Sequence, residues 1–312
     1  MSDHSFSRRD LLRLAAAGGG ALGLQALLAA CGGRGASKQG APAAGSLQAL
    51  QNGARQLSLL GAQSQLPVGS SLFTFGLATP EQQLVTSGSP QVFMARDQRS
   101  AALGPFPTRW YQLEAYRATG DRSPRSPLTG FYGADVKVPS AGNWLVAAAI
   151  DLGGQRAAGQ GAIAVVNGGV AAVGSHAKAV RTPVATSAAG RRKICTREPA
   201  CPLHTISLDR ALRSGRPTVV TFATPLLCES RMCGPVVDEQ MAAAARFGGK
   251  ANFIHVEIYP GRDPAKPTPA FTAWGFRTEP WLLVVDRGGV IRGRFEGPVT
   301  AAQAADALRP LL

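Results

Sequence analysis

The sequence is short of acid: 19 Asp and Glu stand against 33 Lys and Arg, a formal net charge of +14 over 312 residues. An excess of that sign invites a nucleic-acid reading. Aromatics, however, make up only 6% of the chain, and the basic residues are not interleaved with them as base stacking requires. The charge is spread through loops and connecting stretches, with one cluster at Arg191-Arg192-Lys193. It reads as solvated surface, with attraction to anionic lipid headgroups as the sharper alternative. Beyond the first 30 or so residues no run reaches the ~18 apolar residues of a membrane-spanning helix. Between Leu57 and Val166 there is no cysteine, no histidine cluster and no pair of carboxylates, which leaves that region without visible catalytic equipment.

What is present is concentrated in Thr218 to Pro235, TVVTFATPLLCESRMCGP. Thr218, Val219, Val220, Thr221 and Phe222 are strand formers, and Pro217 and Pro225 limit the strand's length. From Val236 to Phe247 apolar residues recur at helical spacing, and Gly248-Gly249 supplies the stop. Cys228 and Cys233 lie at the junction, where the partial positive charge of a helix N-terminus lowers a thiol pKa. On a regular helix residues five apart lie about 140° apart and ~7.5 Å along the axis. A disulfide needs Cα atoms within roughly 7 Å. Either Cys228 precedes the helix, with Pro235 in its first turn, or the register runs on and Pro235 kinks it.

This arrangement resembles the thioredoxin-like superfamily over roughly the last 120 residues. The segment Ala273 to Asp286, AWGFRTEPWLLVVD, is similar to the superfamily's helix, loop, proline and strand. Asp286 and Gly288-Gly289 read as a hairpin signal, and Ala301 to Leu312 as a closing helix. The resemblance implies a β-α-β-α-β-β-α order and a cis Pro280 beside the redox cysteines; Cys228 reads as the exposed attacking thiol and Cys233 as the resolving one, while the Cys-Gly-Pro run at Cys233 supports the opposite order. The chain departs from the thioredoxin pattern in its wider cysteine spacing, in Leu227 before the first cysteine, and in Thr221 at the buried aspartate's position. Copper-delivery proteins on the same fold need a histidine near the later proline loop, and Trp274 to Asp286 has none. The peroxidase variant wants a hydroxyl where Pro225 stands.

The chain begins with Ser7-Arg8-Arg9-Asp10-Leu11-Leu12-Arg13, similar to the twin-arginine export motif, followed by an Ala/Gly/Leu run ending in Leu28-Ala29-Ala30-Cys31-Gly32. That ending resembles a bacterial lipobox, so residues 1–31 read as an export signal with Cys31 as the lipidated residue. The expected setting is a lipid-anchored protein facing the periplasm or the cell exterior. Residues 32–56, rich in small and polar residues, read as a flexible linker.

From 57 to 166 short strand-like runs, Leu72 to Leu77, Gln91 to Ala95, Trp110 to Tyr116, Phe131 to Val138, Trp144 to Ile150 and Ala162 to Val166, alternate with turn signals, which argues for an antiparallel β-sandwich. The run GFYGADVKVPSAGNWLVAAAI resembles immunoglobulin-like modules, with Trp144 as core tryptophan. Residues 167–194 return to linker composition, with His176 as a solvated loop histidine, and 195–312 form the thioredoxin-like domain.

A second pair, Cys195 and Cys201, sits in a proline-containing loop ahead of Ser207, a plausible N-cap. The pair reads as a structural disulfide worth about 2 kcal/mol, with a second redox centre as the alternative. Zinc held by the four cysteines is disfavoured by their spacing. His255, within the strand Asn252 to Ile258, reads as a core or edge histidine. The expectation is a two-domain protein, all-β sandwich then α/β thioredoxin-like fold. It would be a membrane-anchored thiol-disulfide oxidoreductase acting on a protein partner, without cofactor, metal or nucleic acid. The alternatives are a non-enzymatic surface lipoprotein with structural disulfides and a copper-handling protein.

Overall fold

The structure is a computed structural model that describes residues 43, 45–119, 128–228, 230–259 and 263–312. Arg8, Arg9 and Cys31, with the rest of the export and lipidation reading, lie outside the described residues. The described residues fall within one compact unit, in which a β-rich region precedes a mixed α/β region.

The β-rich region opens with helix α1 (Leu47–Gln51), capped by Ser46, whose hydroxyl accepts from the Ala49 N–H at 3.2 Å. The stretch expected as linker is therefore structured at its end, with Leu47 fully buried against Ala95 and Ala147. Eight strands follow: β1 (Arg55–Gly61), β2 (Gln65–Pro67), β3 (Gly69–Ala78), β4 (Gln91–Ala95), β5 (Leu103–Gln112), β6 (Gly130–Val138), β7 (Gly142–Leu152) and β8 (Gln155–Val166). Their bonding order is β1-β3-β6-β5-β4-β7-β8-β2, and β1 also pairs with β8. Through the β1–β8 pairing seven of these strands close into one circuit, and β2 pairs with β8 alone. The sheet is not wholly antiparallel, because β1 and β2 both run parallel to β8. The cause is a division of labour within β1: Arg55 to Ser58 pair with β8, and Ser58 to Gly61 with β3. Alternating inward residues enclose one core containing Phe73, Phe75, Tyr132, Val146 and Trp144. Trp144 is buried as expected, and its indole N–H donates to the Ser140 carbonyl at 3.0 Å.

One expected strand is corrected. Of the run Trp110 to Tyr116, the part from Glu114 belongs to helix α2 (Glu114–Thr119). Its N-terminal amides, of Ala115 and Tyr116, donate to the Glu239 carboxylate at 2.8 and 3.4 Å. The acceptor comes from more than 120 residues away, so local pattern could not indicate this helix start.

Residues 167–194 do not hang free. Val170, Ala171, Ala177 and Val180 pack on the core of the α/β region, and helix α3 (Ala188–Ile194) is capped by Ser187. His176 is exposed, as expected. Next come the short helix α4 (Leu208–Ala211), strand β9 (Thr218–Ala223), helix α5 (Cys233–Phe247), β10 (Asn252–Glu257), α6 (Pro269–Trp274), β11 (Trp281–Val285), β12 (Ile291–Glu296) and α7 (Ala301–Leu308). From β9 onward this is the β-α-β-α-β-β-α order. The sheet order is β10-β9-β11-β12, with β10 parallel to β9 and the other neighbours antiparallel. Helix α5 ends at Gly248, whose φ of 52° lies in the left-handed region that glycine adopts without strain.

Three carboxylates tie the α/β elements to one another and to the β-rich region. Glu239 of α5 accepts from the N-terminal amides of α2 and also from Ala301 N of α7 at 2.8 Å. Glu296 of β12 accepts from the amide and hydroxyl of Ser64 at 2.7 and 2.6 Å, and from the Thr278 hydroxyl at 2.7 Å. The loop before Pro280 is thereby joined to the β-rich region. Asp238 accepts from Arg197 at 2.6 Å, fixing the Cys195 to Cys201 loop to α5.

Candidate functional site

Cys233 is the first residue of α5, and Cys228 lies in the loop before it. Of the two registers open to the sequence, the structure adopts the one with Cys228 ahead of the helix and Pro235 in the first turn. The two Sγ atoms and a carboxylate oxygen of Glu279 lie within 4.8 Å of one another. Glu279 precedes Pro280; the peptide bond between them is cis and Pro280 is buried. The structure thus brings together Cys228, Cys233 and the Pro280 loop, and adds Glu279 and Ser230.

The two thiols are not equivalent. The Cys228 pKa is lowered to about 6, chiefly by a hydrogen bond from the Cys233 thiol. The Ser230 hydroxyl, 3.2 Å from its sulfur, and the amides of Met232 and Cys233 add to this, against burial. These amides belong to the orphan donors of a helix start, so the helix end favours the thiolate. Cys233, fully buried, is pushed well above the ordinary thiol range by burial, with the neighbouring Cys228 and Glu279 charges adding to it. Thr221 is fully buried. Glu279 is the acidic group beside Cys233. Sequence spacing could not reveal this, because Glu279 lies 46 residues downstream in a different loop.

Cys228 opens onto a cavity of about 950 Å³ between the cysteine loop and the β-rich region. Leu226, Met232 and Pro235 line one side, and Phe75, Trp110 and Phe131 the other. Cys233 is not among the lining residues. A reagent in the cavity therefore meets the low-pKa thiol.

Cys195 and Cys201 are also brought together, but apart from the first pair. Both are free thiols, with Sγ atoms 3.9 Å apart. Around them stand two residues not expected at a site, His204 in the following loop and His255 on β10. Cys201 Sγ lies 3.4 Å from His204 Nε2 and 3.3 Å from His255 Nδ1, and Cys195 Sγ lies 3.7 Å from His255 Nδ1. The hydrogen bond from Cys201 drives Cys195 far below the ordinary thiol range, helped by the two imidazoles, and the same contact holds Cys201 far above it. Burial lowers His204; for His255 burial is again the largest single influence and lowers it, but Cys195, Glu257 and the Ala223 carbonyl together outweigh burial and raise it. The spacing Cys-x5-Cys-x2-His at 195, 201 and 204 is the one local signal for this cluster. His255 joins it only through folding.

Neither a protein-family model nor a curated protein sequence matches the chain. Among solved structures there is a distant likeness to a thiol:disulfide interchange protein of the thioredoxin family from Chlorobium tepidum TLS. Identity is 19%, over 43% of this chain and 99% of that one, with a TM-score of 0.26. The Lin-41 filamin domain is matched at 12% identity over 36% of this chain and 93% of that one, TM-score 0.21. Titin M4 is matched at 8% identity over 36% and 92%, TM-score 0.18. Likeness at these scores establishes no common fold or activity. The class is defined by the molecule's own features: a β-rich region followed by a mixed α/β region carrying a helix-start cysteine pair.

Proposed function

We propose that the protein is a thiol-disulfide oxidoreductase of thioredoxin-like type, with Cys228 as attacking thiol and Cys233 as resolving thiol. The observation that carries this reading is the asymmetry of the pair: a stabilised thiolate facing a cavity, and a buried, protonated thiol behind it. In the reducing direction Cys228 Sγ attacks one sulfur of a partner disulfide. That bond breaks, a mixed disulfide forms, and the partner's other sulfur leaves as a thiolate that takes a proton from water. Cys233 then gives its proton to Glu279 and attacks Cys228 Sγ. The Cys228–Cys233 disulfide forms and the second partner thiol is released. Two electrons have passed to the partner, and run backwards the same steps oxidise it.

The cavity's apolar walls suit an unfolded or extended segment of a protein partner, and Glu279, the residue before Pro280, stands beside the two sulfurs. The test is trapping: Cys233→Ser should accumulate mixed disulfides with partner proteins and Cys228→Ser should not. Trapping only by Cys228→Ser would reverse the roles, and trapping by neither would refute the reading.

The setting is part of the proposal. Arg8-Arg9 and the run ending in Cys31 support export by the twin-arginine route and a diacylglyceryl anchor on Cys31, with the redox site outside the cytoplasm. Cys31→Ser should abolish lipid labelling and membrane retention; a cleaved variant still held at the membrane would contradict the anchor.

A further inference from the structure

The second cysteine pair stands in surroundings that a disulfide does not explain. Two imidazole nitrogens, His204 Nε2 and His255 Nδ1, are aimed at the sulfurs of Cys195 and Cys201, and all four residues are buried. A disulfide sulfur is a feeble hydrogen-bond partner, so closing that bond would leave two buried ring nitrogens poorly satisfied. His255 is also held in a defined tautomer. Its Nε2 lies 3.1 Å from the Ala223 carbonyl, which can only accept, so Nε2 carries the proton and Nδ1 presents a lone pair. A ligating histidine is oriented in the same way, by a hydrogen bond from its other nitrogen to a carbonyl or carboxylate.

We infer that Cys195, Cys201, His204 and His255 form a tetrahedral binding site for a zinc ion. A zinc ion about 2.3 Å from each sulfur and about 2.0–2.1 Å from each nitrogen sets ligand atoms roughly 3.3–3.8 Å apart. The sulfurs lie 3.9 Å apart, three sulfur-to-nitrogen separations are 3.7, 3.4 and 3.3 Å, and all four ligand atoms lie within 4.8 Å of one another. The cluster is therefore close to ligand geometry before any ion enters. Two thiolates and two imidazoles suit zinc, whereas calcium and magnesium take oxygen ligands. On binding, each cysteine thiol loses its proton to solvent, and the two thiolates neutralise the divalent charge, so the buried site carries no net charge.

Four protein ligands close the coordination sphere, which makes this a structural centre. Cys195 follows α3, Cys201 and His204 lie in the next loop, and His255 is on β10, so the ion would fasten residues 195–204 to the sheet. The fastening extends to the redox loop. The Thr196 hydroxyl donates to Glu257 at 2.7 Å and accepts from the Leu226 N–H at 3.2 Å, two residues before Cys228.

The experiment uses the full chain, purified reduced and exposed to zinc, then desalted, with metal content measured by mass spectrometry of the elements. One equivalent of zinc is expected. Cobalt(II) in its place should show the strong visible absorption of a tetrahedral ion with thiolate charge transfer. Zinc should shield Cys195 and Cys201 from alkylation in the unaltered protein, and a chelator should remove the shielding, a readout that depends on no variant folding. Cys228→Ser/Cys233→Ser should keep the metal. His204→Gln should weaken binding at least about tenfold, the scale of even an indirect loss at a metal site. No zinc on the reduced protein would overturn the inference. So would a Cys195–Cys201 disulfide that forms despite excess zinc, or zinc lost on replacing Cys228 and Cys233 instead.

Discussion

Arg197 and Asp238 form an ion pair at 2.6 Å with side chains only 13% and 6% exposed, joining the Cys195 to Cys201 loop to the helix that begins at Cys233. Removing one partner strands a charge in a poorly solvated place, which costs about 3–5 kcal/mol where such pairs are fully buried. Arg197→Met should therefore lower unfolding stability by a large part of that amount, and Arg197→Met with Asp238→Leu by much less. Denaturant titration of the reduced protein decides it; equal losses in single and double variants would show that the pair is not what couples loop and helix.

The lowered pKa of Cys228 sets a pH window. Its alkylation rate should rise through about pH 6 and level off above. In Cys233→Ala the hydrogen bond from Cys233 is gone and the midpoint should move up. The sign for stability comes from the same shift. The folded pKa lies below the unfolded value of about 8.5, so the contribution to the reduced fold is complete above that pH. It is lost as pH falls through about 6. The reduced form should gain stability relative to the oxidised form across that window, and a flat difference between pH 6 and 8.5 would contradict the thiolate assignment.

Glu279 should act on the second step alone. If it takes the Cys233 proton, Glu279→Gln should slow release from the mixed disulfide by about 10²-fold at neutral pH, the lower end for general base catalysis. The first attack by Cys228 should be nearly unchanged. Rapid mixing with a model disulfide separates the two steps, and an equal loss in both would assign Glu279 to packing.

The sequence was most legible where structure is local. The β-branched run at Thr218, the apolar spacing from Val236 to Phe247 and the Asp286 turn all lie where their patterns place them. Asp286 Oδ1 accepts from the amides of Gly288 and Val290, both at 2.9 Å, as the hairpin signal implies. What sequence could not show depends on distant partners. Helix α2 starts where Glu239 can cap it, β1 divides its pairing between β3 and β8, and Val170 and Val180 find a core from within linker composition. The site divides the same way. Cys228, Cys233 and Pro280 announce themselves by motif. Glu279 and His255 carry no local mark and gain meaning only from the groups the fold sets beside them.

The most direct test of the central claim is the reduction potential of the Cys228–Cys233 pair across pH, read by thiol-trapping mass spectrometry of the peptides carrying each cysteine. A redox-active pair should titrate above about −300 mV, the region below which structural disulfides resist cellular reductants. Each proton taken up by this two-electron couple adds about 30 mV per pH unit. The slope should therefore fall from about 60 to about 30 mV per unit near pH 6, where reduced Cys228 stops binding a proton. A potential well below −300 mV, with a slope that does not change near pH 6, would contradict the account and leave the pair as a structural disulfide.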